Sequence, residues 1–171
     1  MLLNLVLILI IFFLLFILSW VWPPDSPWAP WWRTSKEVAR AMCKLSKIKK
    51  GELIYDLGSG DGTALMVAAK EFGAKGIGIE IDPVRYFISK ILLKNNGVSG
   101  RVKVTRKNFF DQNLKDADVI FVYLVPRALD KLLPKFKKDL KKGTRIVSYV
   151  YKINLPLKTE DKKNKIRLYV I

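Results

Sequence analysis

The sequence predicts an α/β fold, a parallel sheet with helices on both faces, preceded by one N-terminal transmembrane helix. Three observations carry this. Leu2 to Trp22 is almost wholly Leu, Ile, Val and Phe, and all 31 basic and 15 acidic residues lie from Asp25 onward. From Leu53, short apolar runs alternate with longer helix-like stretches, the pattern of strands joined by helical crossovers. The first of those runs ends in Tyr55-Asp56-Leu57-Gly58-Ser59-Gly60-Asp61-Gly62-Thr63-Ala64, a glycine loop set between a strand and a helix.

Taken in order, residues 1–22 read as the anchor. About 20 apolar residues at about 1.5 Å each match a hydrocarbon core of about 30 Å. A cleaved signal peptide fits less well, because Met1-Leu2-Leu3-Asn4 has no basic residue and no small-x-small site follows. All five tryptophans fall at Trp20, Trp22, Trp28, Trp31 and Trp32, as expected near a membrane–water interface. Residues 23–33 form a Pro/Trp-rich juxtamembrane linker, with four prolines from Pro23 to Pro30 that cannot continue a helix. Arg33, Lys36, Arg40, Lys44, Lys47, Lys49 and Lys50 follow the anchor and place residues 34–171 on the cytoplasmic side.

In that domain, Thr34 or Ser35 caps a helix running to about Lys47. Leu53 to Leu57 is a strand, Thr63 to Phe72 a helix, and Gly76 to Ile81 a second strand. Pro83 opens a helix to about Asn95. Arg101 to Thr105 is a third strand, and Val119 to Val125 a fourth, apolar throughout and so buried on both faces. Leu129 to Leu140 is a basic amphipathic helix. Arg145 to Val150 and Ile166 to Ile171 are the last strands, and Lys158 to Lys165 reads as a solvated loop. The net charge of +16 suits anionic lipid, an acidic protein or nucleic acid. The lone Cys43 rules out an internal disulfide. The chain has no histidine, which excludes a Ser-His-Asp or Cys-His hydrolase and a zinc site built on His.

The loop after the first strand lies where open parallel sheets bind ligands. A dinucleotide fingerprint would need glycine at position 63, where Thr63 stands. Asp56 and Asp61 would repel a pyrophosphate and suit a cationic ligand without phosphate. S-adenosyl-L-methionine, with an ammonium, a sulfonium and an adenosine, is such a ligand. Glu80 lies twenty residues after Gly60, at the end of the second strand, where a carboxylate can accept bonds from ribose hydroxyls.

On these residues the chain resembles class I S-adenosylmethionine-dependent methyltransferases. It looks like the small archaeal protein-lysine methyltransferases and the membrane-anchored enzymes that methylate a lysine of the ATP synthase c-subunit. The resemblance runs from Pro30 to Ile171. It includes Trp31 to Ser35, Asp56 to Gly62, Gly78 to Glu80, Asn108 to Asp111, Tyr123 to Pro126 and Leu140 to Ser148. It implies a Rossmann-like methyltransferase sheet. It places Asp56, Gly58, Ser59, Gly60, Asp61, Glu80, Ile81, Asn108 and Phe109 on the cofactor. Tyr123 and Thr34 fall on the catalytic, substrate side, and Trp31 can join Thr34 over the cofactor. The implied acceptor is an exposed lysine of a protein at the membrane. The sequence departs from the family at Arg33, where proline is usual, and at Tyr149 and Val150, where His and an acidic residue are usual. Nucleic acid is a weaker partner, because Tyr123-Leu124-Val125-Pro126 stands where exocyclic-amine methyltransferases carry Asn/Asp-Pro-Pro-Tyr. An RNA or lipid-amine methyltransferase and a non-catalytic cofactor-binding membrane module are the alternatives.

Overall fold

The structure is a computed structural model that describes residues 2–21 and 32–171, with side chains over 3–18 and 32–171. The linker prolines and Trp22, Trp28 and Trp31 lie outside the described residues, as does the side chain of Trp20. Helix α1 spans Leu2–Val21, 20 residues. Every side chain described in it is exposed to solvent, on all sides of the helix. Among the described residues no helix is long and apolar enough to cross a membrane.

Seven strands form one sheet: β1 (Leu53–Leu57), β2 (Lys75–Glu80), β3 (Val102–Arg106), β4 (Val119–Val122), β5 (Arg145–Tyr149), β6 (Leu157–Asp161) and β7 (Ile166–Val170). Their spatial order is β3-β2-β1-β4-β5-β7-β6. β1 to β5 are parallel. β7 runs antiparallel between β5 and β6, so the sheet is mixed rather than wholly parallel. The Lys158–Lys165 loop is thereby corrected. Most of it is β6 and the turn into β7, where the Asn164 N–H donates to Asp161 Oδ1 at 3.0 Å. β6 escapes a reading by hydrophobic pattern because it is an edge strand with mainly polar, exposed side chains, as edges that avoid aggregation tend to be.

The sheet is buried on both faces, and alternate residues serve alternate cores. Ile54, Val119, Phe121 and Val147 point to one face, under α2 (Lys36–Leu45), α3 (Thr63–Phe72) and α4 (Pro83–Asn95). Tyr55, Leu57, Ile120, Val122 and Ile146 point to the other, under α5 (Pro126–Asp139). Helices thus cover both faces, three against one. The single-helix face is completed by a 3-10 turn, Phe109–Asp111, and by the irregular segment 150–156. α5 buries Ala128, Leu129, Leu132 and Phe136, spaced as one helical stripe, and turns its lysines outward. Ser35, not Thr34, caps α2, its Oγ accepting from the Val38 N–H at 3.2 Å. Cys43 is buried in the first core, and burial pushes its thiol up to about 12.

The chain leaves β1 toward β2 on one side and returns at β4 on the other. The crevice between the carboxyl ends of β1 and β4 is therefore the point where the strand order reverses, and the site lies there.

Candidate functional site

The floor of the crevice is the loop after β1. Gly58, Gly60 and Gly62 have φ of 83°, 54° and 80°, a left-handed path that side chains resist. The loop is tied to β2 by the N–H groups of Gly58 and Ser59, which both donate to the Ile79 carbonyl at 2.9 and 3.1 Å. Gly78, on β2 beneath the loop, has no room for a side chain. A Cβ there would stand 2.6 Å from Ser59 Oγ and 3.0 Å from Val104 Cγ2.

Glu80 holds the loop from the other side. Its Oε2 accepts the Gly60 N–H at 2.8 Å, and its Oε1 accepts the Asp82 N–H at 2.9 Å. Burial raises its carboxyl above the ordinary value, and these two N–H bonds offset part of the rise. Asp56 is more strongly perturbed. Burial, then the nearby Glu80 and Asp61 charges, push its carboxyl up to about 7. Asp61 is bound on both oxygens. Oδ1 accepts the Thr63 N–H at 3.0 Å, and Oδ2 pairs with Arg33 Nε at 2.6 Å.

These groups line an open cleft. Thr34, Asp56, Gly58, Ser59, Gly60, Asp61, Glu80, Ile81, Phe109 and Tyr123 all face it, which brings together, among the described residues, those expected on the cofactor or substrate side with one exception. Asn108 is that exception. Its Oδ1 accepts the Phe110 N–H at 3.1 Å and so caps the 3-10 turn that carries Phe109. It is not among the residues that line the cleft. Because Ser35 takes the capping role, the Thr34 hydroxyl is left for the cleft.

Among further residues of the lining not singled out as ligands are two arginines. Arg33 reaches Asp61 from the rim, with its side chain 60% exposed. Arg85, on α4, is buried beside Asp82 and Glu80, and burial lowers its guanidinium below the ordinary value. Nothing in the helical pattern of Pro83–Asn95 marks Arg85. Its only signal is its closeness in sequence to Glu80 and Asp82.

The chemistry of the cleft fits S-adenosyl-L-methionine. Ser59 Oγ and Thr63 Oγ1 are buried without a hydrogen-bond partner in the protein, an arrangement that calls for polar atoms of a ligand. The three carboxylates outnumber the two arginines, so cationic groups are welcome. Phe109, 8% exposed, offers a flat apolar wall to a purine. Toward the fourth strand the lining turns neutral, with Val122, Tyr123 and Leu124. Burial and then the neighbouring Tyr149 and Tyr151 raise the Tyr123 phenol above its ordinary value, so it stays protonated.

Residues 56–157 match the family described as the ANTKMT methyltransferase domain. The chain is 36% identical over 131 residues to a protein-lysine N-methyltransferase of Saccharolobus islandicus, covering 76% of this chain and 80% of that protein. It is 28% identical to the ATP synthase c-subunit lysine N-methyltransferase of Mus musculus over 67% of this chain, and spans 45% of that protein's length. Among solved structures it is similar to an RNA methyltransferase from Salinibacter ruber in complex with S-adenosyl-L-homocysteine. That likeness has a TM-score of 0.78 and 30% identity, over 82% of this chain and 94% of the other.

Proposed function

Since the chain belongs to the family of the ANTKMT methyltransferase domain and is an S-adenosylmethionine-dependent methyltransferase, we propose that its acceptor is the side-chain amine of a lysine in a protein. The observation that carries this reading is the division of the cleft. Its lining sets Asp56, Asp61 and Glu80 beside a run of uncharged residues at the end of the fourth strand, Val122, Tyr123 and Leu124. A lysine amine loses its proton more readily in a dry, uncharged pocket, because burial disfavours the cation. The names of the archaeal and mouse relatives point the same way.

When bound, S-adenosyl-L-methionine supplies a methyl group on a sulfonium that a neutral amine can displace. The protein's own part is binding, orientation and exclusion of water. Asp61 and Asp56 take the amino-acid end of the cofactor, with Arg33 at the rim for its carboxylate. Glu80 shapes the loop and faces the ribose, and Ile81 and Phe109 enclose the adenine. Val122 and Leu124 keep the far end dry. The Tyr123 hydroxyl accepts a hydrogen bond from the amine and fixes its direction, and the Thr34 hydroxyl stands across the cleft. No imidazole exists in the chain to take the proton, so it passes to water or through a hydroxyl.

We further propose that α1 anchors the enzyme in a membrane, with the catalytic domain on the cytoplasmic side. Support comes from 20 helical residues that are apolar nearly all round and from the basic residues that follow them. A tether would raise the effective concentration of lysines on membrane proteins. Methylation of RNA is the second reading, favoured by the likeness to the Salinibacter protein and by the +16 charge. Label transferred from S-adenosyl-L-methionine into separated protein, RNA and lipid fractions of a membrane extract decides between them. Nuclease-resistant label in a protein band supports the proposal, and label confined to RNA or lipid overturns the acceptor.

A further inference from the structure

β5 ends at Tyr149, and the next residue breaks the usual backbone rules. Val150 has φ of 68°, a conformation that a β-branched residue adopts only under constraint. The Tyr151 N–H donates to the Tyr149 carbonyl at 2.9 Å. A two-residue bond across a positive φ is the rare form of γ-turn. The turn is held on every side. The Val150 N–H donates to the Lys165 carbonyl at 2.8 Å. Arg167 Nη1 donates to the Val150 carbonyl at 2.6 Å. Ser148 Oγ donates to the Tyr151 carbonyl, and the Ile153 N–H donates to Tyr169 Oη at 3.1 Å. Strain that is fixed from so many directions tends to mark a working part of a molecule.

The effect of the turn is to bring two tyrosines against Tyr123, which lines the cleft, although neither is itself among the lining residues. The Tyr149 ring lies 4.5 Å from that of Tyr123, tilted by 59°. The Tyr151 ring lies 6.4 Å from Tyr123 at 29°, closer to parallel. All three are only half-buried. Three aromatic rings therefore gather at Tyr123, on the edge of the cleft. Aromatic faces are negative and attract alkylammonium groups, with or without N–H donors left on the nitrogen.

We propose that Tyr149 and Tyr151, together with Tyr123, form an aromatic seat for the methylated ammonium of the acceptor lysine. The seat rests on the protein-lysine reading for its occupant. It adds to that reading a way to hold the side chain as its N–H donors are replaced by methyl groups, which a seat built on hydrogen bonds alone would not do.

The test is a binding comparison with the full-length chain in mild detergent and S-adenosyl-L-homocysteine in the cleft. The probes are blocked trimethyllysine and its neutral isostere, with a tert-butyl group in place of trimethylammonium, titrated by NMR. The cation is expected to bind about 3- to 30-fold more tightly than the neutral probe. Tyr149→Leu and Tyr151→Leu keep bulk but remove the aromatic face, and each should shrink that preference. Tyr149→Phe and Tyr151→Phe should retain it. Affinity for S-adenosyl-L-homocysteine should be unchanged in all four. Equal binding of the two probes, no binding of either, or a preference that survives in both leucine variants overturns the seat. Cation preference without any protein-lysine methylation would remove the functional reading alone, and methylation without the preference would remove the seat alone.

Discussion

Cofactor binding should release a proton from Asp56. In the free protein, burial and the Glu80 and Asp61 charges hold this carboxyl at about 7. A ligand with an ammonium and a sulfonium favours the ionised form, so tight binding requires the proton to leave. The penalty for this is a factor of 1 + 10^(pKa − pH). It is about 30 at pH 5.5 and about 2 at pH 7, so Kd should tighten about 15-fold, or about 1.6 kcal/mol, over that interval. An α-amino group titrates only near about 7.7–8.0, so the ligand stays cationic throughout. Calorimetry of S-adenosyl-L-methionine binding in two buffers of different ionisation enthalpy reads both the affinity and the proton count. The expected count is about half a proton released at pH 7 and about one at pH 5.5. Asp56→Asn should remove most of the dependence, with a remainder from Glu80, whose carboxyl is also raised. A Kd that is flat across the window in the wild type, or an equal slope in Asp56→Asn, would refute the reasoning.

The same carboxyl sets a pH dependence on the unliganded fold. Its folded pKa lies above the ordinary 3.8, so between about pH 4 and about pH 7 the folded chain keeps a proton that the unfolded chain has lost. Stability therefore falls as pH rises through that window, by at most about 4 kcal/mol, and levels off above it. Thermal melts should show Asp56→Asn more stable than wild type at pH 8 and close to it at pH 4. Gly78→Ala should force Ser59 and the loop above it aside, at a cost of about 1–3 kcal/mol. Melting would report that loss, and titration a weaker cofactor affinity; an unchanged Kd would mean the loop tolerates the shift. Glu80→Ala would orphan the buried N–H groups of Gly60 and Asp82, each costing about 1–3 kcal/mol. Its melting temperature should drop, so lost activity in this variant measures loop collapse as well as ribose binding. Arg33→Ala should weaken cofactor binding by up to about 5-fold, since a rim charge is worth about 1 kcal/mol or less. Tighter binding would show instead that Arg33 competes for Asp61.

Much of the site is legible in the sequence because its signals are local. Asp56, Asp61 and Glu80 are marked by their places around a glycine loop and at a strand end, and all three line the cleft. The two-faced strands can be read because their side chains are apolar on both sides, as in Val119 to Val122. What escapes depends on tertiary contacts. β6 is recognised only by its pairing with β7, since its own residues are polar. Asn108 also caps the turn that carries Phe109, a local hydrogen bond that sequence spacing does not reveal. Arg33 stands out only as a missing proline, although it makes a 2.6 Å ion pair inside the cleft. The γ-turn at Val150 runs against the residue's own preference, so no propensity argument would place Tyr149 and Tyr151 beside Tyr123.

Delivery of a methyl group from this cleft to a lysine amine is tested most directly by mass spectrometry. Membrane-extract proteins would be incubated with the full-length enzyme and isotopically labelled S-adenosyl-L-methionine. Asp61→Ala, which removes a carboxylate from the cleft, serves as the comparison. The expected result is labelled methyl groups on the side-chain nitrogen of particular lysines, lost in the variant. Labelled methyl on another residue type, or on lysines equally in the variant, would contradict the lysine reading.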